Sequence, residues 1–97
     1  MITTKQRAQL RGIANTIDTI FQIGKGGITE VFTNEISTAL KAREIVKIKV
    51  LENCEISARE AAQQIAEKTD ADIVQVIGGK LVLYKKNKKN PTIILVK

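Results

Sequence analysis

Histidine and tryptophan are absent from this 97-residue chain, and cysteine and proline each occur only once. Without histidine the chain cannot form a histidine-based catalytic triad or a histidine-containing zinc cluster, and Cys54 alone cannot form an intramolecular disulfide. The carboxylates show no recognisable catalytic spacing, so no acid–base or nucleophilic constellation is evident. The sequence therefore predicts a non-catalytic protein without metal or cofactor, in which Cys54 is an ordinary loop or strand-end residue.

Aromatic residues and long apolar runs are also scarce. The aromatic residues are Phe21, Phe32 and Tyr84, so the core must be built mainly from aliphatic side chains. No apolar run approaches the ~20 residues that a membrane-spanning helix needs, and the amino terminus does not resemble a secretory signal. We therefore expect one soluble domain over residues 1–97, located in the cytoplasm and not bound to a membrane, with a monomer favoured.

The net charge of +6 is unevenly distributed along the chain. Residues 1–28 contain four basic residues and one acidic residue, and residues 29–79 contain six basic and nine acidic residues. Residues 80–97 contain six lysines and no acidic residue. A fold that brings both ends to one side would create a basic face, as in nucleic-acid-binding proteins. The alternative is a lysine-rich tail that is simply solvated.

The most specific stretch of the chain is a glycine-rich loop, Gly24-Lys25-Gly26-Gly27, between a short β-like run and an amphipathic helix. Glycines allow backbone amides to approach a ligand closely, and the start of a helix offers unpaired N–H groups and the positive end of its dipole. An anion such as phosphate is the natural ligand for this arrangement. The alternative is a tight strand-to-helix turn with an incidental lysine.

Hydrophobic periodicity and capping residues predict the element order α-β-α-β-α-β-β. Helices are expected over residues 4–16, 29–43 and 57–69, with Thr3 or Thr4, Thr29 and Ser57 as their caps. Strands are expected over residues 20–23, 45–51, 73–77 and 81–84, the last two forming a hairpin, while residues 93–96 form a possible edge strand. The first run is apolar enough to lie inside the sheet, and in the second Lys47 and Lys49 alternate with apolar residues and should extend into solvent. The fold class is therefore α/β (α+β), a mixed four-stranded sheet with packed helices.

Three phosphate-binding loop patterns can be compared with residues 24–29. A Walker A loop needs four residues between its first glycine and Gly-Lys-Ser/Thr, a spacing absent here. The dinucleotide fingerprint needs a third glycine three residues after Gly26, where this chain has Thr29. The remaining pattern is G-x-x-G from Gly24 to Gly27, which in KH domains clamps a nucleic-acid backbone. The spacing thus excludes the nucleotide-enzyme loops and leaves two readings of G-x-x-G, an RNA-binding loop or a tight strand-to-helix turn.

Four blocks of the sequence together resemble the CRM (chloroplast RNA splicing and ribosome maturation) domain family, in particular the stand-alone bacterial YhbY-like proteins. The blocks are Lys5-Gln6-Arg7 with Leu10-Arg11, Gln22 to Thr29, Ala42 to Val50, and Gln75 to Gly78 with Leu81 to Tyr84. The resemblance covers nearly the whole chain, and the blocks occur in the family's order. One departure is Thr4, where the family often has glycine, and another is the apolar ending at residues 93–96.

This resemblance implies a fold similar to the carboxy-terminal domain of a translation initiation factor and association with precursors of the large ribosomal subunit. In multi-domain plant relatives it implies group II intron splicing. Carried over by position, the RNA-binding residues are the loop, the basic first helix and the basic run after Tyr84. They are Gly24, Lys25, Gly26, Gly27, Lys5, Arg7, Arg11, Lys85, Lys86, Lys88 and Lys89.

Our leading hypothesis is a KH-like RNA-binding module that docks structured ribosomal RNA, with the loop seating one or two phosphates. Arg7 and Arg11, one helical turn apart, would then contact neighbouring phosphates; otherwise they form a solvated helix face. Tyr84 could stack on a base or belong to the core. A protein-interaction module whose basic face meets an acidic ribosomal protein or assembly factor is the alternative function.

Overall fold

The computed structural model describes residues 2–89 and 91–97, and this part of the chain contains three helices and four strands. The helices are α1 (Thr4–Ala14), α2 (Glu30–Arg43) and α3 (Ala58–Thr69). The strands are β1 (Phe21–Ile23), β2 (Ile45–Val50), β3 (Asp72–Ile77) and β4 (Lys80–Tyr84). The order α-β-α-β-α-β-β confirms the fold class predicted from the sequence.

Each helix begins at a side chain that satisfies one of the unpaired N–H groups of its first turn. The Thr3 hydroxyl accepts from the Gln6 amide while the Gln6 side chain accepts from the Thr3 amide, which forms a capping box. The hydroxyls of Thr29 and Ser57 accept from the third residue of α2 and α3. The predicted caps are therefore correct, and α1 ends two residues earlier than predicted.

The four strands form one mixed sheet in the order β1-β2-β4-β3. Strand β1 runs parallel to β2, as expected for strands joined through a helix, and β4 is antiparallel to both β2 and β3. The predicted hairpin turns at Gly78, whose φ of 58° lies in the left-handed region that favours glycine. Strand β1 was expected to lie inside the sheet, but it is a three-residue edge strand.

Helices cover both faces of the sheet, so the protein has two hydrophobic clusters. On one face, α2 and α3 pack on alternate strand residues, represented by Val46, Ile48, Leu81 and Leu83. On the other face, which we call the α1 face, α1 packs on Ile45, Val74, Val82 and Tyr84. Because successive strand residues point to opposite faces, the alternating pattern of β2 supplies both clusters.

One expectation for the α1 face was wrong. Lys47 was expected to extend into solvent, but it is half-buried, and its Nζ donates to the Ala14 carbonyl at the end of α1 over 3.2 Å. A cation at this position compensates the negative end of the helix dipole. The lysine therefore contributes to the docking of α1.

Residues 93–96 do not add a strand to the sheet. The carboxy-terminal segment, residues 91–97, instead lies along α1, where the Gln6 side chain donates to the Val96 carbonyl over 2.8 Å. Gln9 donates to the Ile94 carbonyl and accepts from the Val96 amide. Ile93 and Leu95 pack against the second cluster. The apolar ending thus completes the core of the α1 face.

Candidate nucleic-acid interface

The glycine-rich loop is a tight turn that leads directly from β1 into the cap of α2. The Gly27 amide donates to the Gly24 carbonyl over 3.0 Å, and the φ of Gly27 is 68°. A residue with a Cβ adopts such a φ only with some backbone strain, so the turn favours glycine there. Lys25 and Gly26 are exposed at its tip. The loop can therefore present a cation and accessible backbone to a ligand.

The start of α2 adds a favourable but partly offset electrostatic contribution. The Thr29 hydroxyl already accepts from the Phe32 amide over 3.1 Å, whereas earlier N–H groups of the helix have no intrahelical acceptor. Glu30 lies in the first turn and is exposed, so its carboxylate competes with an external anion for this positive end. Lys25 is thus the main source of positive charge at the turn.

The loop lies at one end of the sheet, which we call the loop end, together with two other turns. The Leu51 amide donates to the Ile23 carbonyl over 2.8 Å, and the Val50 amide donates to the Gly79 carbonyl over 2.6 Å. A Cβ on Gly24 would contact the side chains of Leu51 and Asn53 at ordinary distances. The glycine-rich loop, the turn after β2 and the β3–β4 hairpin turn therefore form one continuous edge.

The basic residues of α1 differ in how much of their charge is available. Lys5 is exposed, whereas Arg7 and Arg11 are half-buried. The Nε of Arg7 donates to the Ile73 carbonyl over 3.2 Å, at the irregularity in the pairing of β3 with β4. Arg7 therefore helps to hold α1 on the sheet, and only its terminal nitrogens remain for a phosphate.

The lysine run after β4 lies at the opposite end of the sheet from the loop. Tyr84, the last residue of β4, pairs with Ile45, the first residue of β2, whereas the loop end begins beside Val50. Five strand steps of ~3.3 Å put these ends ~17 Å apart. The fold therefore does not bring the two basic segments together around one phosphate, as the charge distribution had suggested.

Within this run, the lysines have different environments. Lys85 is half-buried, and its Nζ donates to the Thr69 carbonyl at the end of α3 over 2.9 Å. Lys86, Lys88 and Lys89 are exposed. The structure thus gives Lys85 a role in capping α3, in the same way that Lys47 caps α1, while the other three lysines remain accessible.

Tyr84 belongs to the core, which resolves the two alternatives for this residue. Its side chain is only 2% exposed and packs in the cluster of the α1 face. Burial raises the pKa of the hydroxyl, and the nearby charges of Glu44 and Asp72 raise it further. A residue in this position has no face on which a base can stack, so the site has no accessible tyrosine.

Glu44 is a buried residue whose importance sequence reasoning missed. It is 1% exposed and follows α2 with a φ of 65°. Its carboxylate accepts hydrogen bonds from the Asn87, Thr92 and Ile93 amides and from the Thr92 hydroxyl. Burial by itself would raise the pKa of Glu44, but these hydrogen bonds outweigh it and lower the pKa. Glu44 therefore anchors the chain beyond β4.

The described residues contain neither a cluster of metal-ligating side chains nor a membrane-spanning helix. Residues 2–89 and 91–97 contain no group of three or more histidine, cysteine, aspartate or glutamate side chains that could hold a metal ion. Cys54 is a free, half-buried thiol that packs against the cluster under α2 and α3. In the same part of the chain, no helix is long and apolar enough to cross a membrane.

Comparison with known proteins connects this geometry to a family. A model of the CRS1/YhbY (CRM) domain matches residues 2–85. The chain is 41% identical to YqeI of Bacillus subtilis, named a probable RNA-binding protein, over 98% of this chain and 99% of that protein. It is 34% identical to an RNA-binding protein of Haemophilus influenzae over 87% of this chain and 85% of that protein.

A solved structure shows the same fold. The solution structure of a hypothetical protein from Staphylococcus aureus superposes with a TM-score of 0.83 and is 44% identical in sequence. The match covers 99% of this chain and all of that one. The sheet order and the packing of helices on both of its faces are therefore features of an experimentally observed fold.

Proposed function

We propose, since the chain belongs to the CRS1/YhbY (CRM) domain family, that it is a non-catalytic RNA-binding protein that docks structured ribosomal RNA during assembly of the large ribosomal subunit. The names of the relatives in Bacillus subtilis and Haemophilus influenzae support RNA as the partner. The resemblance of the sequence blocks to bacterial members of the family supports the ribosomal target.

The assignment of the RNA-binding site rests on one structural observation. Residues 24–27 form an exposed, glycine-dependent turn with Lys25 at its tip, immediately before the start of a helix. This arrangement lets a phosphate approach the backbone closely while Lys25 acts as a point charge. Arg7, Arg11 and Lys5 would contact further phosphates, and Lys86, Lys88 and Lys89 would extend the electrostatic contact at the other sheet end.

Recognition by shape follows from the kinds of contact that this surface can make. Phosphate contacts position a protein on RNA but do not read its bases, and Tyr84 is buried. The proposed interface is therefore dominated by lysine and arginine, without an accessible tyrosine to stack on unpaired bases. We expect preference for a folded RNA element over a sequence motif.

The proposed function is tested by measuring RNA affinity as a function of salt. If about five phosphates are neutralised, the logarithm of the affinity should fall with the logarithm of salt at a slope of about −3.5. A labelled stem-loop from large-subunit ribosomal RNA and an unstructured RNA of equal length are the matched probes. Equal affinity for both would contradict recognition by shape, and no binding to either at low salt would contradict the function.

The cellular part of the proposal needs a separate measurement. Sedimentation of a cell extract at low salt should place the protein with particles that contain large-subunit RNA. Digestion of the RNA in these particles by ribonuclease should release the protein, which then stays at the top of the gradient. Co-sedimentation that survives complete RNA digestion would favour the alternative, an acidic protein partner that meets the basic surface.

A further inference from the structure

A row of four exposed side chains crosses the loop end of the sheet on the α1 face. The strand registers place Gln22 beside Lys49, Lys49 opposite Lys80, and Lys80 opposite Ile77. All four are exposed, and Ile77 is 65% exposed. Directly opposed residues on neighbouring strands point to the same face, so the four side chains form one line, which we call the loop-end row.

Helix α1 covers the rest of this face but not the loop-end row. The buried cluster beneath α1 includes Ile45, Val82 and Tyr84, which lie toward the other end of the sheet. Lys47, one step nearer to the row, is half-buried because it caps the end of α1. The next residue of β2 on this face is Lys49, which is exposed. The row is therefore the open part of a face that is otherwise packed.

Lys49 and Lys80 form a pair of like charges at the centre of the row. Directly opposed side chains in an antiparallel pair have Cβ atoms about 4.5–5.5 Å apart, and like charges there are destabilising. Glu52 lines the same surface depression as Lys49, but no ion pair joins them in the described ranges, 2–89 and 91–97. An anion bound between the two ammonium groups would relieve this repulsion.

The backbone beneath the lysine pair is tightly held. The Val50 amide donates to the Gly79 carbonyl over 2.6 Å, next to the paired residues Lys49 and Lys80. A Cβ on Gly79 would lie 3.0 Å from the Val50 carbonyl, so glycine permits this close approach. Because both strands lie inside the sheet, the backbone positions of the two lysines are fixed before any ligand binds, so binding orders only their side chains.

We propose that the loop-end row is a second binding site for the RNA backbone, continuous with the glycine-rich loop. Lys49 and Lys80 together hold one or two phosphodiester groups, the Gln22 amide donates to an adjacent oxygen, and Ile77 packs against a ribose. The row spans three strand spacings of ~4.8 Å, or ~14 Å, and Gln22 precedes Ile23 and the loop in the chain. This inference rests on the proposed RNA-binding function.

The test uses the double variant Lys49→Gln and Lys80→Gln in the full chain, with the labelled stem-loop RNA as the probe. We expect RNA affinity at low salt to fall about tenfold and the salt slope to become shallower by about 0.7 to 1.4, since one or two phosphate contacts are lost. The control for removal of a lysine elsewhere is Lys68→Gln on the exposed side of α3, which should bind nearly as the wild type does. The variant Lys49→Arg and Lys80→Arg should retain binding.

Thermal unfolding without RNA distinguishes the loss of an RNA contact from a loss of protein stability. Removal of a repulsive pair should leave the unfolding temperature of the glutamine double variant at or above that of the wild type, even though its RNA affinity falls. Wild-type affinity and slope in the double variant, alongside weakened binding by Lys25→Glu, would overturn the loop-end row alone. Failure of the wild type to bind any RNA would overturn the proposed function as well.

Discussion

Replacement of Glu44 by glutamine is expected to lower the free energy of unfolding by about 2–3 kcal/mol and to release the carboxy-terminal segment from α1. The charged carboxylate accepts four hydrogen bonds from three residues of the chain beyond β4. Glutamine keeps the size of the side chain but replaces one of the two acceptor oxygens by an NH₂ group, which then faces at least one of those donors. Hydrogen bonds to a charged acceptor contribute more than neutral ones, so the loss should be large for one substitution.

Chemical denaturation measures this loss, and hydrogen exchange locates it. The Thr92, Ile93 and Val96 amides should exchange faster in Glu44→Gln, while amides in the central strands keep their protection relative to global unfolding. The control is Glu35→Gln, which removes an exposed carboxylate from α2. An unchanged exchange rate at Thr92 and Ile93 would contradict the anchoring role of Glu44.

The pH dependence of stability provides a second test of the role of Glu44. The pKa of Glu44 is lowered in the folded protein, so the unfolded chain binds this proton more readily. The stabilisation from Glu44 is therefore fully present above the ordinary glutamate pKa of about 4.3, and it is lost as the pH falls through the lowered folded value. The wild type should lose its stability advantage over Glu44→Gln across that acidic window.

Reversal of the loop charge in Lys25→Glu is expected to weaken RNA binding about 10- to 30-fold at low salt, the largest effect of a single substitution on affinity. The change removes one phosphate contact and places a carboxylate at the same exposed turn, close to Glu30 in the first turn of α2. Because Lys25 is exposed, the free energy of unfolding should stay within about 0.5 kcal/mol of the wild type.

Lys68→Glu is the matched control for this reversal, since it changes the net charge equally on the exposed side of α3. Fluorescence anisotropy with the labelled stem-loop at several salt concentrations compares the two variants. Loss of affinity in Lys25→Glu with little change in Lys68→Glu would identify a local contact. An equal loss in both would mean that only the total charge of the protein matters.

Most of the secondary structure follows from local sequence signals, because caps, periodicity and turn residues act within a few positions. Thr29 caps α2 and Gly78 adopts the left-handed conformation of the hairpin turn as expected. Strand β1 was placed wrongly because an apolar tetrapeptide does not show whether it has one neighbour or two. The sheet order depends on pairing across the whole chain, which local patterns do not encode.

The contacts of charged side chains were the least predictable part of the structure. Lys47, Lys85 and Arg7 each donate to a backbone carbonyl, although alternation or charge alone indicates solvent exposure. Glu44 is buried against a segment more than forty positions away in the chain. Such contacts form where the assembled fold places unpaired backbone groups next to a charged side chain. A local sequence pattern does not show which backbone groups these will be.

The location of the candidate site was predictable in part. The glycine spacing and Lys25 identify the loop, because glycine at a left-handed position and an exposed lysine are local features. The separation of the loop from the lysine run depends on the direction of β4, which carries the chain from the loop end to the other end of the sheet. The loop-end row emerges only from the registers of all four strands.

The central claim, that RNA phosphates bind at the loop end of the sheet, is tested most directly by following backbone amide signals in NMR while the stem-loop RNA is added. We expect the largest shifts at residues 24–29 and at Gln22, Lys49 and Lys80, with smaller changes at Lys86, Lys88 and Lys89. Shifts confined to the lysine run or to the outer face of α2, with residues 24–27 unchanged, would contradict the claim.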